Sequence, residues 1–263
     1  MTEQQRWDAP AEYPLTRENL VALLDNRIPA IRIPGFARAE ECAAFRKAME
    51  TANVKHYHIA NPVQYIGMAQ VEYRWGGSKE EYFRDVRQAY EDQAYVFRNS
   101  FDPVRRLIDL LGELWPHPVE IASEPGYGEY FAGIIRIASK GIDLHADYAP
   151  FNTPGYTIEH VNAQLGWNLF VEAPGAGGIT SVHNAPWSPV MDGDKPPQSY
   201  GLARGIVAGA QVFRYAPAQG EVVLFNSRNP HEVSAGEGEE AGGRLQVGSF
   251  IGRMPDERLV LWA

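Results

Sequence analysis

The chain has 263 residues, 44 % of them apolar, and 24 Lys and Arg against 33 Asp and Glu give a net charge of −9. That apolar content supports a packed core, and the negative balance, with no basic stripe, argues against nucleic acid as a partner. No apolar run approaches the ~20 residues of a membrane span, and the start, MTEQQRWDAPAEYP, lacks the pattern of a secretory signal. The single cysteine, Cys42, excludes an internal disulfide. A cytoplasmic protein is expected.

The first ~15 residues read as a loose arm on their lack of periodicity. TRENLVALLDN (16–26) follows as a short helix with Thr16 as its N-cap. RIPAIRIPGF (27–36) reads as a strand, and AEECAAFRKAME as a helix with Cys42, Phe45 and Met49 on one face. Residues 78–99 carry the clearest helical signal. Ser78 and Glu81 form a capping box, and Phe83, Val86, Tyr90, Ala94 and Phe97 recur at three- and four-residue steps. Asp102-Pro103 then opens another helix that runs to Leu114.

After Pro118 the pattern turns to strands: 118–122, 129–138, 142–148, 161–172, 178–183, 205–215, 220–226 and 244–252. Short strands punctuated by Gly and Pro point to a mainly β fold with flanking α, a double-stranded β-helix (jelly roll, cupin-like) with N-terminal helical support. One domain is expected over 1–263, with helices and first strands in 1–117, the jelly-roll core in 118–253 and a C-terminal tail in 254–263. The stretches 148–160 and 173–200 read as long loops able to cover a substrate.

The core carries His145-Ala146-Asp147, followed far downstream by His231 and then Arg244. Two histidines and one carboxylate are the ligand set of a non-haem iron(II) centre that keeps coordination positions open. On a strand, His145 and Asp147 point to one face and both reach one metal, and His231 can arrive from a facing sheet. A guanidinium just beyond the last ligand suits a dicarboxylate co-substrate, which it grips with two parallel hydrogen bonds.

In this order the motifs resemble the iron(II)/2-oxoglutarate-dependent oxygenases, in the branch with prolyl-hydroxylase-like spacing. The resemblance runs from about residue 129 to 253 and includes Gly177-Gly178-Ile179-Thr180, Gly220-Glu221-Val222-Val223-Leu224-Phe225, His231-Glu232-Val233 and Arg244 in RLQVGSFIG. It implies that His145, Asp147 and His231 bind iron(II), that Arg244 holds the distal carboxylate of 2-oxoglutarate, and that O2 is consumed. It also implies hydroxylation of an unactivated C–H bond with release of succinate and CO2. Radical halogenases of this superfamily have glycine or alanine at the place of Asp147, so this chain reads as a hydroxylase relative of them.

Other residues are expected around the centre. Asn162 and Gln164 alternate with apolar neighbours on one strand and are candidates for a co-substrate contact, as is Asn168. Arg136, Tyr148, Phe151, His183 and Trp187 are candidates for the substrate wall, with packing as the plain alternative for the rings. His56 and His58 form a His-x-His pair without a completing carboxylate, His117 sits between prolines, and His160 is a pocket or structural residue. The expected substrate is a small molecule, an amino acid or a natural-product intermediate. Alternatives are a peptide or protein side chain, a cupin-type metalloenzyme that does not use 2-oxoglutarate, and a non-catalytic jelly-roll module.

Overall fold

The computed structural model describes residues 6–56, 64–138, 141–189, 201–236 and 244–263. The strands are β1 (Glu12–Pro14), β2 (Ala30–Ile33), β3 (Lys55–His56), β4 (Gln64–Ile66), β5 (Val119–Ile121), β6 (Ser123–Glu124), β7 (Gly128–Glu129) and β8 (Ile134–Ala138). They continue with β9 (Ile142–His145), β10 (Ala163–Glu172), β11 (Thr180–His183), β12 (Val212–Tyr215), β13 (Val222–Asn226), β14 (His231–Val233), β15 (Arg244–Arg253) and β16 (Leu259–Trp262). The helices are α1 (Arg17–Leu24), α2 (Ala39–Met49), α3 (Gln70–Gly76), α4 (Lys79–Arg98), α5 (Pro103–Gly112) and α6 (Ala149–Asn152).

Among the described residues, a ten-stranded sheet runs β1-β2-β13-β10-β15-β8-β4-β3, with β16 beside β15 and β5 beside β16. A four-stranded sheet runs β12-β11-β14-β9. This is the expected jelly-roll arrangement of two facing sheets. Strand parity divides the large sheet into two faces. Leu165, Trp167 and Leu169 of β10, Val222 and Leu224 of β13, and Leu245, Val247 and Ile251 of β15 pack outward against Leu20, Leu23, Phe45, Val96, Leu107 and Leu111 of the helices. Phe170, Val223 and Phe225 pack the other way, against Val182, Phe213 and Tyr215 of the small sheet.

The helix signals hold at their caps. Thr16 Oγ1 accepts from Asn19 N at 3.1 Å, Ser78 Oγ from Glu81 N at 3.2 Å, and Asp102 Oδ1 from Arg105 N at 2.9 Å. The buried line of α4 is Tyr82, Val86, Ala89, Gln93 and Val96; it shares Val86 with the expected stripe and is otherwise one residue earlier, and Phe83, Tyr90 and Phe97 are only partly buried. The polar Gln93 masked that line. It is buried because its Nε2 donates to Ala132 O at 2.8 Å and Gly133 O at 2.6 Å.

Both chain ends correct the sequence reading. The expected loose arm supplies β1, parallel to β2, and Trp7, 2 % exposed, packs between the sheets. The expected tail supplies β16, antiparallel to β15, because Leu259 and Leu261 complete the outer apolar face. The strand expected over 205–215 is a 3-10 turn at Arg204–Val207 and then β12. The 148–160 loop contains α6 and a 3-10 turn, and residues 190–200 of the second loop lie outside the described residues.

Candidate metal centre and active site

His145 ends β9 and His231 opens β14, directly opposite one another in an antiparallel register. His231 therefore comes from the neighbouring strand of the same sheet, and not from a facing one as the spacing had suggested. Cross-strand opposition brings the rings to 4.1 Å between centroids. Asp147 lies just past the end of β9. Its backbone N–H donates to Ser227 O at 2.9 Å and its carbonyl accepts from Ser227 Oγ at 3.0 Å. Thus the turn before His231 holds the turn that carries Asp147.

Asp147 Oδ2 is 3.6 Å from His145 Nε2 and 3.6 Å from His231 Nε2, and one ligand atom from each residue lies within 4.8 Å of the others. The Nδ1 atoms face backbone carbonyls, His145 towards Asp143 O at 2.7 Å and His231 towards Asn229 O at 2.9 Å. In the neutral ring this puts the proton on Nδ1 and the lone pair on Nε2, the metal-binding form. Burial, and then the His145 ring, push the His231 pKa from 6.5 down to about 3. Two imidazoles and one carboxylate gathered at one point fit a divalent iron and leave its other positions open.

Arg244 opens β15 on the inner face, with its guanidinium 4.7 Å over the Phe170 ring. It is 3 % exposed, and its Nε and Nη1 have no hydrogen-bond partner. Burial holds its pKa down at about 10. A buried guanidinium with two orphan N–H groups is expensive unless a carboxylate joins it. The donor geometry fits the distal carboxylate of 2-oxoglutarate. Thr180 and Tyr215, opposite each other on β11 and β12, are both buried, and Tyr215 lies within electrostatic reach of Arg244. The sequence reading assigned neither; the glycine pair before Thr180 was the available signal.

The other candidates separate. Arg136 is on the inner face, opposite Gln246 in the register. Asn162 is not. It is exposed at the far end of β15 from Arg244, where its Oδ1 accepts from Arg253 Nε at 2.8 Å, because β10 begins one residue later. Gln164 is buried, but its Oε1 accepts from Ala149 N at 2.7 Å, so it braces the turn after Asp147. His183 Nε2 faces Glu232 Oε1 at 3.3 Å and stands outside the metal cluster. His160 is exposed, and His58 lies outside the described residues.

Trp187 is not an exposed loop ring; it is 5 % exposed. Its backbone N–H donates to Arg228 O at 2.9 Å, while Arg228 Nε donates to Trp187 O at 2.9 Å. Arg228 lies 4.6 Å over Tyr148, and Phe151 meets both Tyr148 and Trp187 edge-on. These four residues tie the three turns around the metal site together. A recess of about 260 Å³ beside them is lined by Tyr148, Gln164, Asn226 and Arg228 among others. Sequence reading missed Arg228, whose only signal was its place three residues before His231.

Fold and site define an iron(II)- and 2-oxoglutarate-dependent oxygenase. The family model described as carrier-protein-independent halogenase WelO5 matches residues 11–263, and the chain belongs to that family. It is 35 % identical over 224 residues to leucinostatins biosynthesis cluster protein S of Purpureocillium lilacinum, across 80 % of this chain and 90 % of that one. It is 26 % identical over 258 residues to L-gamma-glutamyl-L-propargylglycine hydroxylase of Streptantibioticus cattleyicolor, across 94 % and 93 %. The N-substituted L-amino acid dioxygenase of Burkholderia ambifaria, solved with alpha-KG, shares the fold with a TM-score of 0.63 at 14 % identity, covering 94 % of this chain and 90 % of that one.

Proposed function

We propose that the chain hydroxylates an unactivated C–H bond of a small molecule, an amino acid derivative or natural-product intermediate, with His145, Asp147 and His231 as the iron ligands and Arg244 as the co-substrate clamp. The observation that carries this is the meeting of Asp147 Oδ2 with two imidazole Nε2 atoms at 3.6 Å. Family resemblance gives halogenases glycine or alanine at that place, where a halide takes the freed position. Here the carboxylate fills it, so hydroxylation is the reading the site supports, even within a family described by a halogenase. One relative is named as a hydroxylase of a γ-glutamyl amino acid and another by a biosynthesis cluster, which supports a small-molecule substrate.

Iron(II) with 2-oxoglutarate and O2 supplies the oxidising power. The chain's own part is to position and to exclude water. His145 and His231 are held in one tautomer by backbone carbonyls, Asp147 is fixed through Ser227, and Arg244 sets the direction of the co-substrate from the dry interior. The whole chain reads as one oxygenase domain in which residues 1–117 brace 118–253, working in the cytoplasm.

The test is anaerobic titration of iron(II) and 2-oxoglutarate into the metal-free protein. The visible charge-transfer band of the chelate is expected, absent in His145→Ala and weakened in Arg244→Ala. Iron bound without that band would point to a metalloenzyme that does not use 2-oxoglutarate.

A further inference from the structure

The inner face of the large sheet holds more polar chemistry than the co-substrate uses. Arg136 of β8 stands opposite Gln246 of β15, one inward position from Arg244, and Arg244 feels the neighbouring charge. Diagonal cross-strand neighbours of this kind are about 7–8 Å apart. Gln246 is 3 % exposed, and its carbonyl Oε1 has no hydrogen-bond partner. On the other side of β15, Asn168 is opposite Gly248. A methyl group at Gly248 would come within 2.7 Å of Asn168 Oδ1 and 3.5 Å of Arg136 Nη1. The missing side chain is what lets the carboxamide and the guanidinium approach over that strand.

In the proposed function the co-substrate's two carboxylates would be held by the metal and by Arg244. We propose that Arg136 and Gln246, with Asn168 beside them, form a subsite for the substrate's own carboxylate and adjacent N–H. The substrate is then an N-acyl amino acid or a small peptide acid. A guanidinium fork takes a carboxylate in the plane of its N–H groups. A buried carbonyl oxygen left unpaired wants a donor, and an amide N–H next to the carboxylate is the group that supplies one. This inference rests on the oxygenase reading above and narrows its substrate.

The test loads the protein anaerobically with iron(II) and 2-oxoglutarate, then adds N-acetyl-L-amino acids with small, branched and aromatic side chains, each paired with its primary amide. Perturbation of the chelate band reads binding. At least one acid is expected to perturb the band, with its amide about tenfold or more weaker. Arg136→Gln should bring that acid down to its amide, and Gln246→Leu should weaken both while keeping their ratio. Both variants should keep the unperturbed chelate band, which also reports an intact fold. The proposal is overturned if Arg136→Gln keeps the acid preference, if it loses the chelate band so that the guanidinium serves the co-substrate, or if no acid perturbs the wild-type band. A wild-type protein that forms no chelate band at all fails the oxygenase reading instead, and is told apart by that result.

Discussion

Along β10 one strand carries two chemistries. Its odd residues, Leu165, Trp167 and Leu169, are 0 % exposed in the core under the helices. Its even residues, Gln164, Asn168 and Phe170, face the small sheet together with Arg136, Arg244 and Gln246 from β8 and β15. The outer face is apolar apart from the Trp167 indole nitrogen, which has no hydrogen-bond partner, and its apolar atoms need only neighbours. The inner face holds orphan polar atoms on Arg244 and Gln246. Orphan atoms of a guanidinium and a carboxamide are what a polar ligand would complete, which puts packing on one side of the sheet and the proposed chemistry on the other.

Substitutions should therefore divide by face. The largest effect belongs to the metal cluster. Asp147→Gly should lower hydroxylated product by about 100-fold or more, since even partners behind metal ligands are worth about 10–100-fold. Product mass spectrometry checks this, and full hydroxylation in that variant would remove Asp147 from the ligand set. On the outer face, Leu169→Ala should cost about 2–5 kcal/mol of stability, read by urea unfolding, while the folded fraction keeps its KM for 2-oxoglutarate. An altered KM there would break the division between the faces.

Arg244→Ala on the inner face should raise the KM for 2-oxoglutarate about 10- to 100-fold, the worth of a charged hydrogen-bonded pair, with little change in the KM for substrate. An unchanged co-substrate KM would show that another group holds the carboxylate. The mildest effect is on pH dependence. The unfolded chain protonates His231 near 6.5, whereas burial keeps the folded ring neutral to about pH 3. The unfolded state thus binds the extra proton in that window. The His231 contribution to metal-free stability is complete above pH 6.5 and is lost as pH falls, by about 1.4 kcal/mol per pH unit. Urea midpoints of the metal-free protein between pH 7 and 5 should show this slope, flattened in His231→Gln.

Much of this was legible in the chain. Caps at Thr16, Ser78 and Asp102, and apolar periodicity, locate the helices because both are local signals set by neighbours within four residues. The order His145, Asp147, His231 and Arg244 pointed to the proposed chemistry, because a metal and a dicarboxylate demand those residue types in one place. What spacing does not carry is which strand lies beside which. Tertiary structure alone put His231 next to His145 in one sheet, tied Asn162 to Arg253 at the far rim, buried Trp7 between the sheets, and set Gln246 opposite Arg136. Each of these depends on a partner distant in sequence, and strand register is decided by the whole sheet rather than by any one segment of it.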